Sequence, residues 1–219
     1  MADGVGGEAG GDVASSAAVD AVASAFEFRA ADTAAALASA MRTANDAVLR
    51  AAEERAKPNA ASTMVAAAAR GRHLAVANLG DSRAYLVRDG VARQVTADHA
   101  GTTPNSITRF LGDPRGVAPD VFVEVLRRRD RLLLCSDGLT RYVTAEEIAT
   151  LAQGDPGRAA KALVDLANER GGEDNVTVVL YAPTWRSFAP RLGVALLIAF
   201  VLVAVIMAAA AMIFAVPAV

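Results

Sequence analysis

Four acidic residues stand where an apolar run ends or a glycine turn begins. Asp3 lies in Ala2-Asp3-Gly4-Val5-Gly6-Gly7, Asp81 in Gly80-Asp81-Ser82-Arg83, Asp137 in Cys135-Ser136-Asp137-Gly138-Leu139, and Asp174 in Gly172-Glu173-Asp174-Asn175-Val176-Thr177. Carboxylates at strand ends, with no histidine or cysteine cluster beside them, suit a hard divalent cation such as Mg²⁺ or Mn²⁺ bound through oxygen. Adjacent strands can bring such ends within a few ångströms, and glycine lets main-chain carbonyls reach an ion. Crowded carboxylates repel one another strongly unless a cation is present. The chemistry this suggests is metal-assisted hydrolysis. The competing reading is four unrelated surface turns, because Asp-Gly and Asp-Asn are common turn pairs.

The elements that must position these residues follow from periodicity. Residues 13–29 are rich in helix formers with one apolar face, and Asp32 has the character of an N-cap for a second helix over 33–56, closed by Lys57-Pro58. The pattern then switches to strands at 62–69, 73–78 and 83–88, with Asp89-Gly90 as a hairpin turn into 91–95. Residues 102–105 read as a loop, 106–111 as one or two helical turns, and 121–126 with 131–135 as another strand pair. Thr144-Ala145-Glu146-Glu147 has the form of a capping box opening a helix to about Gln153, and 156–170 is an amphipathic helix stopped by Gly171-Gly172. Residues 175–182 give a last strand. Two helices, antiparallel strands, two more helices and a strand predict an α+β layered fold.

Bulk composition narrows the function. The chain has 219 residues, 53% apolar but only 5% aromatic, and a net charge of −2, so nothing favours nucleic acid as a partner. Its single cysteine, Cys135, sits in the run Leu132-Leu133-Leu134-Cys135 and reads as a buried thiol in a reducing compartment rather than a nucleophile. His73 and His99, the only histidines, lack ligand-like spacing and read as structural. Residues 192–216 contain no charged side chain, which is longer than the roughly 20 residues that span a bilayer as a helix. Arg186 and Arg191 precede this segment and no charge follows it, so the positive-inside tendency predicts a single-pass cell-membrane protein whose N-terminal domain is cytoplasmic. The expected organisation is a domain over 1–182, a juxtamembrane linker over 183–191 and a transmembrane helix over 192–216.

Residues 2–15, together with Ala77-Asn78-Leu79-Gly80-Asp81-Ser82-Arg83-Ala84-Tyr85, Leu134-Cys135-Ser136-Asp137-Gly138-Leu139 and Gly172-Glu173-Asp174-Asn175-Val176-Thr177-Val178-Val179, resemble the metal-dependent protein phosphatase family (PPM, type 2C) in its bacterial form. Four motifs in order, spanning residues 1 to about 182, make the resemblance specific. It implies an antiparallel β-sandwich flanked by helix pairs, a four-layer αββα arrangement with a two-metal centre at one end. On that resemblance Asp3 bridges two Mg²⁺ or Mn²⁺ ions, Gly4 offers its carbonyl, Asp137 and Asp174 complete the ligands of one ion, and Asp81 with Asp137 helps hold a third, weaker ion. Water or hydroxide between the two main ions would attack phosphoserine or phosphothreonine in line. Asn175 is expected to orient Asp174, and Ser136 with Gly138 to shape the neighbouring strand end.

The resemblance also implies differences. Family members carry a further upstream segment with strands, an acidic ligand and a phosphate-gripping arginine, so the fold is expected to be N-terminally incomplete and the second metal weakly held. Only a few residues separate Asp98-His99-Ala100 from Asn105-Ser106-Ile107-Thr108-Arg109, where a mobile flap is usual, and Glu8 stands where a histidine is common. Three functions stay open: a membrane-tethered serine/threonine phosphatase acting on phosphorylated proteins, among them a serine/threonine kinase and its substrates; an inactive phosphatase-like binding module; and a small-molecule phosphoester hydrolase.

Overall fold

Apolar side chains at alternate positions build two facing antiparallel sheets, each with one face turned to helices. The computed structural model describes residues 1–5, 10–103 and 106–184. The elements begin β1 (Ala2–Val5), α1 (Gly11–Ala25), α2 (Thr33–Glu54), β2 (Ala61–Arg70), β3 (His73–Leu79), β4 (Arg83–Arg88) and β5 (Val91–Gln94). They continue β6 (Asp120–Val125), β7 (Arg131–Cys135), α3 (Asp137–Thr140), α4 (Ala145–Leu151), α5 (Pro156–Glu169) and β8 (Val178–Tyr181). One sheet has the order β1-β2-β3-β6 and the other β5-β4-β7-β8.

The layers follow the side-chain alternation. Met64, Ala66, Ala75, Ala77 and Leu79 of the first sheet pack under Leu37, Met41, Ala44 and Val48 of α2 and Ala14 and Ala18 of α1. Tyr85, Val87, Leu133 and Cys135 of the second sheet pack under Leu139, Ile148, Leu163 and Ala167. The intervening positions, Ala67, Ala69 and Leu74 on one side and Leu132, Leu134, Val179 and Tyr181 on the other, line an apolar cavity of about 260 Å³. The four-layer αββα sandwich expected from the resemblance is the observed architecture.

Local signals act where expected. Asp32 Oδ1 accepts from the Ala35 amide at 3.0 Å, relieving one of the unpaired donors at the start of α2. At α4 the Thr144 amide donates to Glu147 Oε2 at 3.0 Å and Thr144 Oγ1 accepts from the Glu147 amide at 3.4 Å, completing the capping box. Asp89-Gly90 forms the turn between β4 and β5, which pair Arg88 with Val91.

Several expectations need correction. Segments 121–126 and 131–135 are both strands but not a pair: β6 joins β3 in the first sheet, whereas β7 lies between β4 and β8 in the second. Residues 106–111 form no helix; they bend at Thr108 and Arg109 between the isolated bridges Ala100–Ile107 and Ser62–Leu111. Asp3, read above with the carboxylates at strand ends, lies inside the four-residue β1. The first helix stops at Ala25, and β8 is shorter than the predicted 175–182. The predicted transmembrane helix at 192–216 lies outside the described residues, as does the linker beyond Thr184. Among the described residues no helix is long and apolar enough to cross a membrane.

Candidate metal centre

Asp3 reaches one end of the sandwich because β1 pairs antiparallel with β2, setting Asp3 opposite Thr63 and Gly4 opposite Ser62. Ala2 joins the core under the helices, so the pleat turns Asp3 to the opposite face, towards the second sheet. Gly4 faces α1, where a Cβ would overlap the main chain of Gly11. The glycine is therefore what lets α1 sit directly on β1.

Asp81 is carried by the crossover from β3 to β4, which passes from one sheet to the other. Gly80 adopts φ +105°, and a Cβ there would stand 2.6 Å from the Thr63 Cβ. The Thr63 and Ser82 hydroxyls, both buried, lie 2.7 Å apart. The crossover is thus stapled to the residue opposite Asp3. Two further groups secure it: the Gly80 amide donates to His99 Nδ1 at 3.1 Å, and Arg83 forks onto Asp98 through Nε and Nη2 at 2.9 and 2.6 Å. His99 Nε2 faces Asp120 at 3.0 Å, so this histidine is structural, as its spacing suggests.

Asp137 opens α3 at the end of β7, and Asp174 precedes β8. Ser136 ties the two together: its Oγ donates to the Asn175 carbonyl at 3.1 Å and accepts from the Thr177 amide at 3.0 Å. A Cβ at Gly138 would stand 2.5 Å from that same Asn175 carbonyl. Asn175 does hold Asp174, but through its main chain: its amide donates to Asp174 Oδ1 at 2.8 Å.

Electrostatics show that the four carboxylates share one field. Burial, then Asp137, Asp174 and Asp81, push the Asp3 carboxyl up to about 6. Burial and then Asp137 also raise Asp81. Burial pushes the Cys135 thiol up to about 12, which removes it as a nucleophile.

Sequence reading missed Arg141. Its Nη2 and Nε donate to Asp137 Oδ2 at 2.6 and 3.1 Å, and Nη2 lies 3.6 Å from Asp174 Oδ2. The available signal was its position four residues after Asp137, which on a helix face reads as an ordinary ion pair. Among the described residues no three acidic, histidine or cysteine side chains close around a single point. The donor set still fits a hard divalent ion: all oxygen, no thiolate or imidazole, and mutually repelling without a countercharge. Asp81, Asp137, Thr140, Arg141 and the tight loop Ala100–Thr103 line a cleft of about 430 Å³. The Gly101 amide donates to the Ser106 carbonyl at 2.7 Å. Glu8 lies outside the described residues.

Comparison with known proteins identifies the family. Residues 1–171 match the family model described as protein phosphatase 2C. The chain is 35% identical over 206 residues to the serine/threonine phosphatase stp of Listeria monocytogenes, covering 82% of each protein. It superposes on the crystal structure of the Mycobacterium tuberculosis serine/threonine phosphatase PstP/Ppp with a TM-score of 0.76 at 33% identity, covering 84% of this chain and 87% of that one. A structure of the PstP catalytic domain in complex with two manganese ions matches with a TM-score of 0.74 at 36% identity, covering 82% of this chain and 84% of that one. The chain belongs to the protein phosphatase 2C family.

Proposed function

We propose that this chain is a Mg²⁺- or Mn²⁺-dependent protein serine/threonine phosphatase held at the cytoplasmic face of the cell membrane. The observation that carries the chemistry is that Asp137, Asp174 and Asp81 lie near enough to Asp3 to raise its carboxyl together with burial, in a chain of this family. Asp3, Asp137 and Asp174 would hold two ions with the Gly4 carbonyl, and Asp81 with Asp137 a third. When bound, such ions neutralise the phosphoryl oxygens and acidify water for in-line attack on phosphorus.

The chain's own residues do the positioning. Ser136 and Gly138 set the spacing of the Asp137 and Asp174 segments, and the Asn175 amide fixes one Asp174 oxygen. Thr63 and Ser82 set the height of Asp81 relative to β1. The cleft beside these carboxylates is open and lined mainly by charged and hydroxyl-bearing residues, which suits a phosphorylated side chain presented on a protein loop.

The apolar, uncharged segment at 192–216 supports a single membrane span, with the phosphatase domain on the side of Arg186 and Arg191. Such a tether would raise the local concentration of membrane-bound kinases and their substrates.

The test is hydrolysis by the full chain of p-nitrophenyl phosphate and of a phosphothreonine peptide. Turnover should require Mn²⁺, stop with chelator and be lost in Asp137→Ala. Capture of the phosphopeptide without turnover would make the protein a binding module. Turnover of a phosphorylated metabolite with phosphopeptides ignored would make it a small-molecule hydrolase. For the tether, the protein should stay in the membrane pellet after alkaline carbonate extraction, and release into the supernatant would refute it.

A further inference from the structure

Arg141 pairs with Asp137 and reaches towards Asp174, two carboxylates of the candidate centre. Its main-chain amide is fixed to the Asp137 carbonyl at 3.0 Å, so the base of the side chain is anchored at the end of α3. The guanidinium reaches back over the carboxylate of Asp137 and towards that of Asp174. These are two of the residues proposed above as metal ligands. Its side chain is 36% exposed and forms part of the cleft wall. The other arginine on that wall, Arg83, is committed to Asp98 by its forked contact.

A guanidinium and a divalent ion compete for the same oxygens. The compact double charge outcompetes a delocalised single one at a carboxylate, while the planar fork matches a phosphate better than a lone carboxylate oxygen. We propose that Arg141 neutralises Asp137 and Asp174 until a divalent ion takes their oxygens, and that the freed guanidinium then grips the substrate phosphate in the cleft. The inference rests on the metal ligands proposed above for its first half and on the phosphatase reading for its second. Arg141 is thereby a substrate-binding residue that metal loading releases, so that phosphate affinity and metal occupancy are coupled through one side chain.

The experiment uses the full chain and the variants Arg141→Gln and Arg141→Lys. Calorimetric titration with Mn²⁺ in the absence of substrate should show Arg141→Gln binding the ion about tenfold more tightly than wild type, since no internal cation has to leave. At saturating Mn²⁺ the same variant should show about a tenfold rise in KM for a phosphothreonine peptide and in Ki for inorganic phosphate. Arg141→Lys keeps the charge but not the fork, so its Mn²⁺ affinity should stay near wild type while its Ki for phosphate is intermediate. Equal or weaker Mn²⁺ binding by Arg141→Gln overturns the competition, and an unchanged Ki overturns the phosphate grip. If wild type shows no Mn²⁺-dependent turnover, the phosphatase reading fails, and the calorimetric comparison still decides the competition.

Discussion

Gly138 lies directly beneath the carbonyl of Asn175, so close that a methyl group on its Cα would stand 2.5 Å from that oxygen. The contact sets the separation between the segment carrying Asp137 and the one carrying Asp174. Gly138→Ala must push the two apart, an overpacking cost of about 1–3 kcal/mol. The expected outcome is a folded protein, by circular dichroism, whose Mn²⁺ affinity falls at least about tenfold. Wild-type affinity in the variant would show that the close approach does not govern the site.

The hydroxyl pair of Thr63 and Ser82 fastens the β3–β4 crossover to β2. Thr63→Val keeps the shape but leaves the Ser82 hydroxyl buried without its partner, a cost of about 1–3 kcal/mol. Urea denaturation should show a lower midpoint for Thr63→Val and a smaller loss for Thr63→Ser, which keeps the hydroxyl. Equal midpoints for Thr63→Val and wild type would mean that the bond contributes nothing.

Much of this arrangement was legible in single residues. Asp32, Asp89-Gly90 and the Thr144–Glu147 pair act through neighbours within a few positions, so their signals survive in the linear chain. The four acidic motifs were legible as types and spacing. What was not legible depends on distant partners. β6 and β7 are consecutive strands in opposite sheets, a choice made by what each packs against rather than by either segment. Residues 106–111 carry helix-compatible side chains, but the bridges of Ile107 to Ala100 and of Leu111 to Ser62 hold them out of a helix. β1 has only four residues, too few for a period to show. Arg141 was missed because nothing in the linear chain reveals that Asp174, 33 residues further on, lies 3.6 Å from it.

Arg88, held by Asp130, clasps the two sheets together. Arg88 of β4 donates to Asp130 at 3.1 and 2.6 Å and to the Val125 carbonyl of β6 at 2.8 Å. Burial pushes the Asp130 carboxyl up, but the Arg88 bonds and the Arg127 amide outweigh it and hold the group below its ordinary value. Folding therefore favours the ionised form. That stabilisation is complete above the ordinary value of 3.8 and is lost as pH falls through the lower folded value. Asp130→Asn should lower the urea midpoint at neutral pH, with the gap to wild type narrowing below that range. A gap independent of pH would contradict the ionic contribution.

Cys135 is fully buried in β7, its thiol pushed up to about 12 by burial. Iodoacetamide at pH near 8 should leave the native protein unmodified over hours and alkylate it completely in urea, read by mass spectrometry. Rapid alkylation of the native protein would mean that the second sheet opens on that side.

The most direct measurement is a Mn²⁺ titration of the full chain against Asp3→Asn. Asp3 is raised by burial and by three neighbouring carboxylates, so replacing it relieves repulsion while removing the proposed bridging ligand. The melting temperature of the metal-free variant should equal or exceed that of wild type, while its Mn²⁺ affinity falls by more than about tenfold. Wild-type Mn²⁺ binding by Asp3→Asn would contradict a shared ion site among these carboxylates, and with it the chemistry proposed for the protein.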